Sequence, residues 1–448
     1  MGPVSRLYWT SFLAAQMWGQ ARYPFRPMAK IEADRDRAAR RMALFAAQHV
    51  PFYRQTFQAA GLEGGKICGA GCLARLPLID ASTLRAAAGQ FVAEKADFVP
   101  GLVLKTSGSS GQSREIPIDA AALFRNAAQG ERERRMMTAA IGRQFGYREA
   151  VIVMNPTLTE SSTPRVQRFL REHAFLPRGA AIERLYIDST EPPASYLARL
   201  NEFRPDIIQS YGSNIQELIG HVASTGAPLH RPRGVYFHSS GISRQTRAAL
   251  QDLGIPVFST YEACEALKIG FECEAHEGYH VNLDTYPVRI VDAEGRDVEP
   301  GSEGRVVISN LSNRALVLLN YDLGDWARWI PGPCPCGRSL PRLELLEGST
   351  IELITFPSGR SVNSSELYSV FLGIPDLWEY QVLRVRQDRF RLLLVVSEES
   401  RRRECAGQIG RSLRQLFGDD ATFEVEFVER IPLSKGGKKR SYLPLGET

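Results

Sequence analysis

The sequence predicts an α/β protein in which a large amino-terminal part is followed by a small unit beginning after about residue 350. Three observations support this prediction. At 448 residues, of which 44% are hydrophobic, the chain is long enough for more than one core. From about residue 100 to 260, short apolar runs alternate with helical lengths, as parallel strands and crossover helices do. From 279 to 330 the pattern instead indicates β-strands joined by Gly and Asp turns.

The individual elements follow in chain order. A helix is predicted over residues 29–48, where Gly and Pro are absent and an apolar face is formed by Met42, Leu44, Phe45 and Ala46. Beyond residue 350, we expect strands near 351–356 and 380–398 and a helix near 403–417. The apolar runs expected to form one parallel sheet are LVLK at 102, AVIVM at 150, DIIQSY at 206, GVYFH at 234 and PVFSTY at 256.

The charge balance and the cysteines limit the class of protein. Lys and Arg outnumber Asp and Glu by only 55 to 50, and the basic residues are scattered, which argues against nucleic acid as a partner. No apolar run reaches the ~18 residues of a membrane span, and the amino terminus does not have the pattern of a signal peptide. We therefore expect a cytoplasmic protein without a membrane partner, whose seven cysteines are thiols or metal ligands.

Two motifs could contact phosphate groups. Thr106-Ser107-Gly108-Ser109-Ser110-Gly111 follows a predicted strand, and such a turn can aim backbone N–H groups and hydroxyls at phosphate oxygens. Ser434-Lys435-Gly436-Gly437-Lys438 places lysines on a glycine-rich segment that can reach a developing anion. Taken alone, the first is also an ordinary flexible loop and the second a mobile basic tail.

Two further motifs offer an aromatic ring and carboxylates. The segment 259–265 contains Tyr261, a flat face for a nucleotide base, and Glu265, a ligand for a divalent cation. The motif Tyr321-Asp322-Leu323-Gly324-Asp325 ends in a carboxylate that can accept hydrogen bonds from ribose hydroxyls. On its own, Tyr261 is interpreted as a packing residue and Gly324-Asp325 as a common turn. The order of all four motifs together changes that interpretation.

This order resembles the adenylate-forming superfamily of acyl-CoA synthetases, luciferases and peptide-synthetase adenylation domains. The segments VPFYRQTFQAAGL at 50–62, LPLID at 76–80 and CPCGRSLPRLELLEG at 334–348 are similar to its phenylacetate–CoA ligase-like branch. The resemblance covers nearly the whole chain. It implies a large adenylate-forming amino-terminal domain, residues 1–350, and a small mobile α+β carboxy-terminal lid, residues 351–448.

The resemblance also implies roles for individual residues. The loop 106–111 would hold the phosphates of ATP. Tyr261 would stack on adenine, opposite a wall formed by Ser239, Ser240 and Gly241. Asp325 would hold the ribose hydroxyls.

Two residues are predicted to be catalytic. Glu265 would help to bind Mg2+, and Lys438 would meet the substrate carboxylate and the α-phosphate. A lysine and a magnesium ion both offset the repulsion between these two anions. The acid pocket is predicted to include Tyr211, Gly212, Tyr236, His238 and Ser239.

A zinc site is predicted from four further residues, Cys273, His280, Cys334 and Cys336. Three thiols and an imidazole are a suitable tetrahedral set, and the branch that the chain resembles builds a structural zinc site from such elements. His276 is the competing imidazole ligand. Four unrelated residues are the alternative explanation.

The sequence departs from the superfamily pattern in four places. The phosphate loop continues as Gln112-Ser113-Arg114 where Lys-Pro is usual. Glu262 stands where Gly is usual, and Asn320 where Arg is usual. In the hinge motif at 348–352, Ser349 replaces the usual ribose-binding Arg and Ile351 the usual acid.

Taken together, these residues predict the ATP-dependent activation of a carboxylic acid, aromatic by default, to an acyl-adenylate. Coenzyme A is the default acceptor, but the altered hinge leaves an amine, a hydroxyl or a carrier protein open. The expected cofactors are ATP, Mg2+ and structural Zn2+, and a second copy of the chain, in a homodimer, is a further candidate partner. The alternatives are a catalytically altered nucleotide-binding protein and a zinc-stabilised structural or nucleic-acid module.

Overall fold

The computed structural model describes residues 2–62, 69–94, 98–105, 114–142, 146–153, 162–175, 182–346, 353–363, 367, 370–371, 374, 376–396, 399–432 and 441–446. The phosphate loop 106–111, the hinge motif 348–352 and Lys438 lie outside the described residues. The roles assigned to them therefore stay predictions.

Helices and strands alternate along most of the chain. The helices are α1 Pro3–Met17, α2 Met28–His49, α3 Pro51–Ala59, α4 Ala81–Ala86, α5 Ala120–Gln129, α6 Glu131–Ile141, α7 Ser162–His173, α8 Pro193–Phe203, α9 Gly212–Thr225, α10 Arg244–Asp252 and α11 Arg402–Phe417. The strands are β1 Pro100–Lys105, β2 Glu115–Asp119, β3 Arg148–Val153, β4 Glu183–Asp188, β5 Ile207–Tyr211, β6 Gly234–His238, β7 Val257–Ala263, β8 Leu267–Glu272, β9 Tyr279–Val281, β10 Val288–Val291, β11 Glu303–Ile308, β12 Tyr321–Ile330, β13 Arg342–Leu346, β14 Leu353–Thr355, β15 Ser361–Asn363, β16 Leu377–Arg386, β17 Arg389–Val396, β18 Thr422–Phe427 and β19 Tyr442–Leu443.

The chain divides into two compact units. The first comprises Met1–Phe145, Thr157–Ala181 and Ser259–Leu345, and the second comprises Gly146–Pro156, Ile182–Phe258 and Leu346–Thr448. This mixed α/β architecture confirms the predicted fold class. The domain boundary near residue 350 stays a prediction.

The first unit contains strands in the order β10-β11-β12-β13-β9-β8-β7, in which the pairs β10–β11, β11–β12, β13–β9, β9–β8 and β8–β7 are antiparallel. The predicted strand run at 102 lies here, in β1, but it pairs antiparallel with β2 in a separate two-stranded hairpin. Its assignment to the parallel sheet was wrong. An apolar run predicts a strand, but neither its burial nor the strand it pairs with: within β1, only Leu104 is buried.

The first helix prediction is confirmed by α2. Its buried residues are Ile31, Ala39, Met42, Ala43 and Ala46; relative to Ala39 they lie eight residues before and three, four and seven residues after, which places them on one face. Leu44 is 39% exposed, so its assignment to that face was wrong. It follows Met42 by two residues, and two residues rotate a side chain to the far side of a helix.

The second unit contains the parallel strands β6-β5-β3-β4, which confirms the runs predicted at 150, 206 and 234. Its carboxy-terminal part forms a four-stranded sheet, β18-β17-β16-β19, covered by α11. This sheet has its own core, which includes Phe390, Leu392, Ile409 and Phe417. The strands and the helix predicted beyond residue 376 are thereby confirmed.

The carboxy-terminal part also packs on α9 within this unit. Trp378 belongs to the same core as Ile215 and Ile219. A Cβ added at Gly220 would lie 3.3 Å from the Trp378 ring, so only a very small residue fits there. Arg430, which precedes the segment containing Lys438, pairs with Glu217 at 2.7 Å and donates to the carbonyl of Ser189 at 2.9 Å.

Among the described residues, none of the helices is both long and apolar enough to cross a bilayer.

Candidate functional site

Part of the predicted site lies at the carboxyl ends of β5 and β6 in the second unit. Tyr211 and His238 are paired in the register of these strands, and their rings meet edge to face with centroids 5.3 Å apart. Ligands of open α/β sheets bind beyond the carboxyl ends of parallel strands. The structure therefore brings these two predicted pocket residues together where a ligand is expected.

Gly212 begins α9 directly after this strand end. A Cβ at this position would lie 2.1 Å from the carbonyl oxygen of Ser240 and 2.4 Å from that of Gly241. Glycine is therefore required for the two backbones to approach so closely. The Oγ of Ser240 accepts a hydrogen bond from the backbone N–H of Ser213 at 3.0 Å, which fixes the turn after β6 onto the start of α9.

The remaining predicted pocket residues extend this group. Ser239 adopts a φ of 68°, an uncommon conformation for a residue with a Cβ, and its Oγ lies 3.0 Å from Nδ1 of His238. Tyr236 is buried on β6, two residues before His238, so both side chains point to the same face of the strand.

The first unit carries the predicted ribose and adenine residues. The hydroxyl of Tyr261 on β7 donates a 2.7 Å hydrogen bond to Oδ2 of Asp325 on β12. Burial, followed by the charge of Asp325, raises the pKa of Tyr261 well above its usual value, so the hydroxyl stays protonated. Because Tyr261 fixes one carboxylate oxygen, Asp325 is presented in a defined orientation.

Glu265, predicted to bind magnesium, lies in the same unit and is buried. Its Oε1 is 3.1 Å from Nη2 of Arg114 and accepts a 3.3 Å hydrogen bond from the hydroxyl of Tyr321. Mg2+ is usually held by one or two carboxylates together with the phosphates of the substrate, so a single buried glutamate fits that ion.

The departure at residue 320 has a structural explanation. Asn320 has a φ of 58°, a left-handed conformation that Asn tolerates better than most residues. Its Oδ1 accepts a hydrogen bond from Nη1 of Arg289 at 2.8 Å, and its Nδ2 donates to the carbonyl of Leu76 at 2.7 Å. A guanidinium is thus present beside this position, although it comes from another strand.

The four predicted zinc ligands form one cluster in the first unit. The candidate ligand atoms of Cys273, His280, Cys334 and Cys336 all lie within 4.8 Å of one another. The Sγ atoms of Cys273 and Cys334 are 3.6 Å apart, close to the ~3.8 Å that Zn–S bonds of about 2.3 Å give in a tetrahedron. His276, the alternative ligand, instead lies 3.4 Å from Glu272.

The protonation chemistry of the cluster also suits a zinc ion. Nδ1 of His280 faces the carbonyl oxygen of Leu340 at 2.7 Å, which leaves Nε2 directed toward Cys336 at 3.3 Å. Burial lowers the pKa of His280 to about 4, so the imidazole is neutral at pH 7. Burial, with a contribution from the neighbouring thiols, raises the pKa of Cys273 to about 12, a penalty that a bound cation would reverse.

Sequence reasoning missed two residues of these networks. Tyr321 belongs to the motif at 321–325, and Arg114 belongs to the segment that departs from the usual phosphate-loop sequence, but the sequence analysis assigns neither residue a role. The position of Arg114 just after the phosphate loop is a sequence signal that could have indicated a role. The hydrogen bond from Nη1 of Arg114 to the Tyr321 hydroxyl, 2.7 Å long, spans 207 positions and was not visible.

Comparison with known proteins gives matches over the whole chain and over its carboxy-terminal part. Residues 354–442 match the family model of the CapK C-terminal domain. The chain is 24% identical to phenylacetate-coenzyme A ligase from Thermus thermophilus over 469 aligned residues, which cover 94% of this chain and 97% of that protein. It is 21% identical to Protein CapK from Staphylococcus aureus over 251 residues, covering 55% of this chain and 54% of the relative.

The fold has solved counterparts. The crystal structure of 2-hydroxyisobutyryl-CoA ligase in the postadenylation state superimposes with a TM-score of 0.70 at 19% identity, covering 93% of this chain and 90% of that one. The protein therefore has the fold of an adenylate-forming ligase. Together with the sequence relatives, this confirms the predicted resemblance of the chain to the phenylacetate–CoA ligase-like branch of the adenylate-forming superfamily.

Proposed function

We propose that this protein activates a carboxylic acid with ATP and Mg2+ and then transfers the acyl group to a nucleophilic acceptor. Coenzyme A is the default acceptor by resemblance, and a carrier-bound thiol, an amine or a hydroxyl is the alternative that the altered hinge motif favours. In the first step a carboxylate oxygen attacks the α-phosphorus, and the bond to pyrophosphate breaks. In the second, the nucleophilic atom of the acceptor loses its proton and attacks the acyl carbon of the adenylate, and AMP leaves. The observation that supports this most strongly is the Tyr261–Asp325 hydrogen bond, because it orients the carboxylate that we propose to bind ribose.

The residues divide between the parts of the reaction. Asp325 would accept hydrogen bonds from the ribose hydroxyls, Tyr261 would face adenine, and Glu265 would hold magnesium. Ser240 and Gly241 would form the other wall for adenine, and Lys438, with the loop 106–111, would neutralise charge at the phosphates. Magnesium supplies Lewis-acid stabilisation of the phosphates.

An aromatic acid is the proposed substrate class. Tyr211 and His238 meet edge to face at the ends of β5 and β6, and Tyr236 lies two residues earlier on β6; their rings combine flat apolar faces with polar edges. Such a pocket suits a planar ring more than a short branched chain.

A panel of acids tests this assignment. Pyrophosphate release is measured with phenylacetate, benzoate and their hydroxylated derivatives, and with acetate and 2-hydroxyisobutyrate as non-aromatic comparisons. We expect release to depend on acid and to be at least about tenfold faster with an aromatic acid, a difference of about 1.4 kcal/mol in the barrier. Equal rates with acetate would refute the substrate class but leave the adenylation step standing.

Zinc is proposed as a structural component. The four ligands would occupy every position of a tetrahedron, and such a closed site has no room for substrate. Ser339, three residues after Cys336, contacts the amino-terminal segment, because its backbone N–H donates to the carbonyl of Pro24 at 2.7 Å. A bound zinc would therefore stabilise that contact.

A further inference from the structure

Gln209 is a buried glutamine in the parallel sheet of the second unit. It lies in the middle of β5, two residues before Tyr211, and is only 9% exposed. Within the part of the chain that the structure describes, its carboxamide has no hydrogen-bond partner. The buried Gln129 of the first unit, by comparison, donates from its Nε2 to the hydroxyl of Thr285. A buried amide without a partner is costly, so the position of Gln209 requires an explanation.

The side chain of Gln209 faces away from the helix that covers this strand. Ile208, directly before it, belongs to the core that the sheet forms with α9. Successive residues of a strand point to opposite faces, so Gln209 and Tyr211 share the other face. On the neighbouring strand, Tyr236 pairs with Gln209 and His238 pairs with Tyr211 in the parallel register. Gln209 therefore lies on the face of the sheet where the acid pocket is proposed.

Within that face, Gln209 lies one row deeper than the rings of Tyr211 and His238. Two residues along a strand are about 6.6 Å apart, and neighbouring strands are about 4.8 Å apart. On its other side Gln209 pairs with Val151 of β3, an apolar residue that is 1% exposed. The row thus places a polar amide between an aliphatic side chain and the aromatic ring of Tyr236.

An acid bound in this pocket would extend its ring toward Gln209. The wall proposed for adenine, Ser240 and Gly241, follows the carboxyl end of β6. The carboxylate that reacts with ATP therefore belongs at that end of the strands. The rest of the acid then passes Tyr211 and His238 and approaches the row that contains Gln209.

We propose that Gln209 determines specificity in the acid pocket and that the acid carries a hydroxyl group on the side of its ring away from the carboxylate. A carboxamide donates and accepts hydrogen bonds, and a phenolic hydroxyl does the same, so each satisfies the other. The hydroxyl supplies the partner that the amide lacks among the described residues. The inference rests on the proposed function, because it assumes that the pocket holds the acid that is adenylated.

The test compares acids that are matched in size. Hydroxyl and methyl derivatives of phenylacetate and of benzoate, substituted at the meta or para position, form such pairs. The kcat/KM for acid-dependent pyrophosphate release is measured for the wild type and for Gln209→Leu, which removes the polar atoms of the side chain. Gln381→Leu is the matched control, because Gln381 is a buried glutamine, 3% exposed, on β16 of the same unit.

We expect the wild type to prefer the hydroxyl over the methyl acid by about 10- to 100-fold in the pair that it uses best, because a methyl group leaves the buried amide unpaired. Gln209→Leu should reverse this preference, since the hydroxyl is then the group buried without a partner. Gln381→Leu keeps the wild-type preference. A merely structural role of Gln209 would lower both rates together and reverse nothing. Gln209→Met removes the same polar atoms if the leucine variant does not fold.

Three outcomes overturn the inference. In the first, the wild type uses aromatic acids but shows no preference for the hydroxyl in any pair, a result that requires no variant. In the second, the variants of Gln209 keep the wild-type preference, so the hydroxyl is recognised elsewhere. In the third, only aliphatic acids are activated. The proposed function fails separately, if the wild type releases no pyrophosphate with any acid.

Discussion

Asp325 illustrates how a common dipeptide becomes a specific group once it is folded. The dipeptide Gly324-Asp325 alone predicts a turn. In the structure, Asp325 lies on β12, and one of its carboxylate oxygens accepts a hydrogen bond from Tyr261, 64 positions away. The second oxygen is oriented by the same bond. A carboxylate prepared in this way loses little further freedom when it accepts hydrogen bonds from a ribose.

Replacing Asp325 by Ala is expected to weaken ATP binding by roughly 1–3 kcal/mol, or about 5- to 150-fold, because the ribose hydroxyls lose their acceptor. The KM for the acid should change much less. Calorimetry with ATP and AMP measures the effect, and Asp297→Ala, which removes an exposed carboxylate from the same unit, is the control. Equal ATP affinities for the wild type and Asp325→Ala would remove the ribose assignment.

Lys438 lies outside the described residues, and its assignment depends on sequence alone. Lys438→Ala is expected to reduce adenylate formation by about 100-fold or more, as loss of a single transition-state donor does, while the fold stays intact. Acid-dependent pyrophosphate release gives the rate, and thermal unfolding checks the fold. Lys435→Ala and Lys439→Ala are the controls, and an equal effect of all three would indicate a basic segment without a unique catalytic lysine.

At the scale of elements, the amino-terminal turn Gln20–Phe25 is held from two sides. Arg132 of α6 is almost fully buried, donates to Gln20 at 2.8 Å and lies 4.2 Å from the centroid of the Tyr23 ring. The backbone of Ser339, close to the cysteine cluster, bonds to Pro24. The cluster therefore lies next to a contact with a segment more than 300 positions earlier in the chain. Loss of the cluster should destabilise that segment.

We predict that the protein, purified without chelators, contains about one zinc per chain. Removing the metal, or introducing Cys336→Ser, should lower the melting temperature and increase hydrogen exchange in residues 20–25. Metal analysis and exchange mass spectrometry measure these effects, with Cys72→Ser as the control for loss of a buried thiol elsewhere in the unit. A stable, metal-free protein with unchanged exchange would show that the cluster binds no zinc.

The local patterns predicted most elements correctly, but they did not predict which strands pair with each other. β3, β5 and β6 were predicted from apolar runs, because both faces of a parallel strand are buried and the whole run is hydrophobic. β1 is also an apolar run, but it pairs with β2, which begins ten positions after β1 ends. Hydrophobic periodicity does not predict which strand such a run pairs with. The predicted hydrophobic face of α2 wrongly included Leu44, which is exposed.

In the candidate site, the sequence predicted the motif residues but not their partners. Tyr261, Glu265 and Asp325 could be recognised because each lies in a short contiguous motif. Their partners could not, since Arg114 pairs with Glu265 across 151 positions, and in the same way Arg289 donates to Asn320 across 31. Only the fold shows that the guanidinium of Arg289, from another strand, contacts Asn320.

At the scale of the whole molecule, the superfamily that the chain resembles uses movement of the carboxy-terminal domain for the second half-reaction. Ile351 stands in the predicted hinge motif at the position where an acid is usual in that superfamily. A β-branched apolar side chain is conformationally stiffer than an acid that is solvated in both positions, and hinges absorb large backbone changes. We therefore predict that adenylation is fast but that transfer to coenzyme A is slow or absent, with a different acceptor used.

Single-turnover kinetics tests this prediction. Preformed adenylate is mixed with coenzyme A, and thioester formation is timed against adenylate decay, with Ile351→Asp as the variant that restores the usual acid. We expect the wild-type adenylate to persist until an amine, a hydroxyl or a carrier-bound thiol is added, and Ile351→Asp to speed thioester formation. If wild-type thioester forms as fast as adenylate, the hinge substitution is neutral and a neighbour such as Glu352 performs its function.

The central claim is that this protein makes an acyl-adenylate. The most direct measurement is mass spectrometry of the enzyme-bound product after incubation with ATP, magnesium and a mixed pool of carboxylic acids, with Lys438→Ala and an ATP-free sample as controls. The account predicts a species whose mass equals that of one acid joined to AMP with loss of water, present only with ATP and greatly reduced in Lys438→Ala. Bound ATP that remains intact with every acid in the pool would contradict the claim and indicate a nucleotide-binding protein without ligase activity.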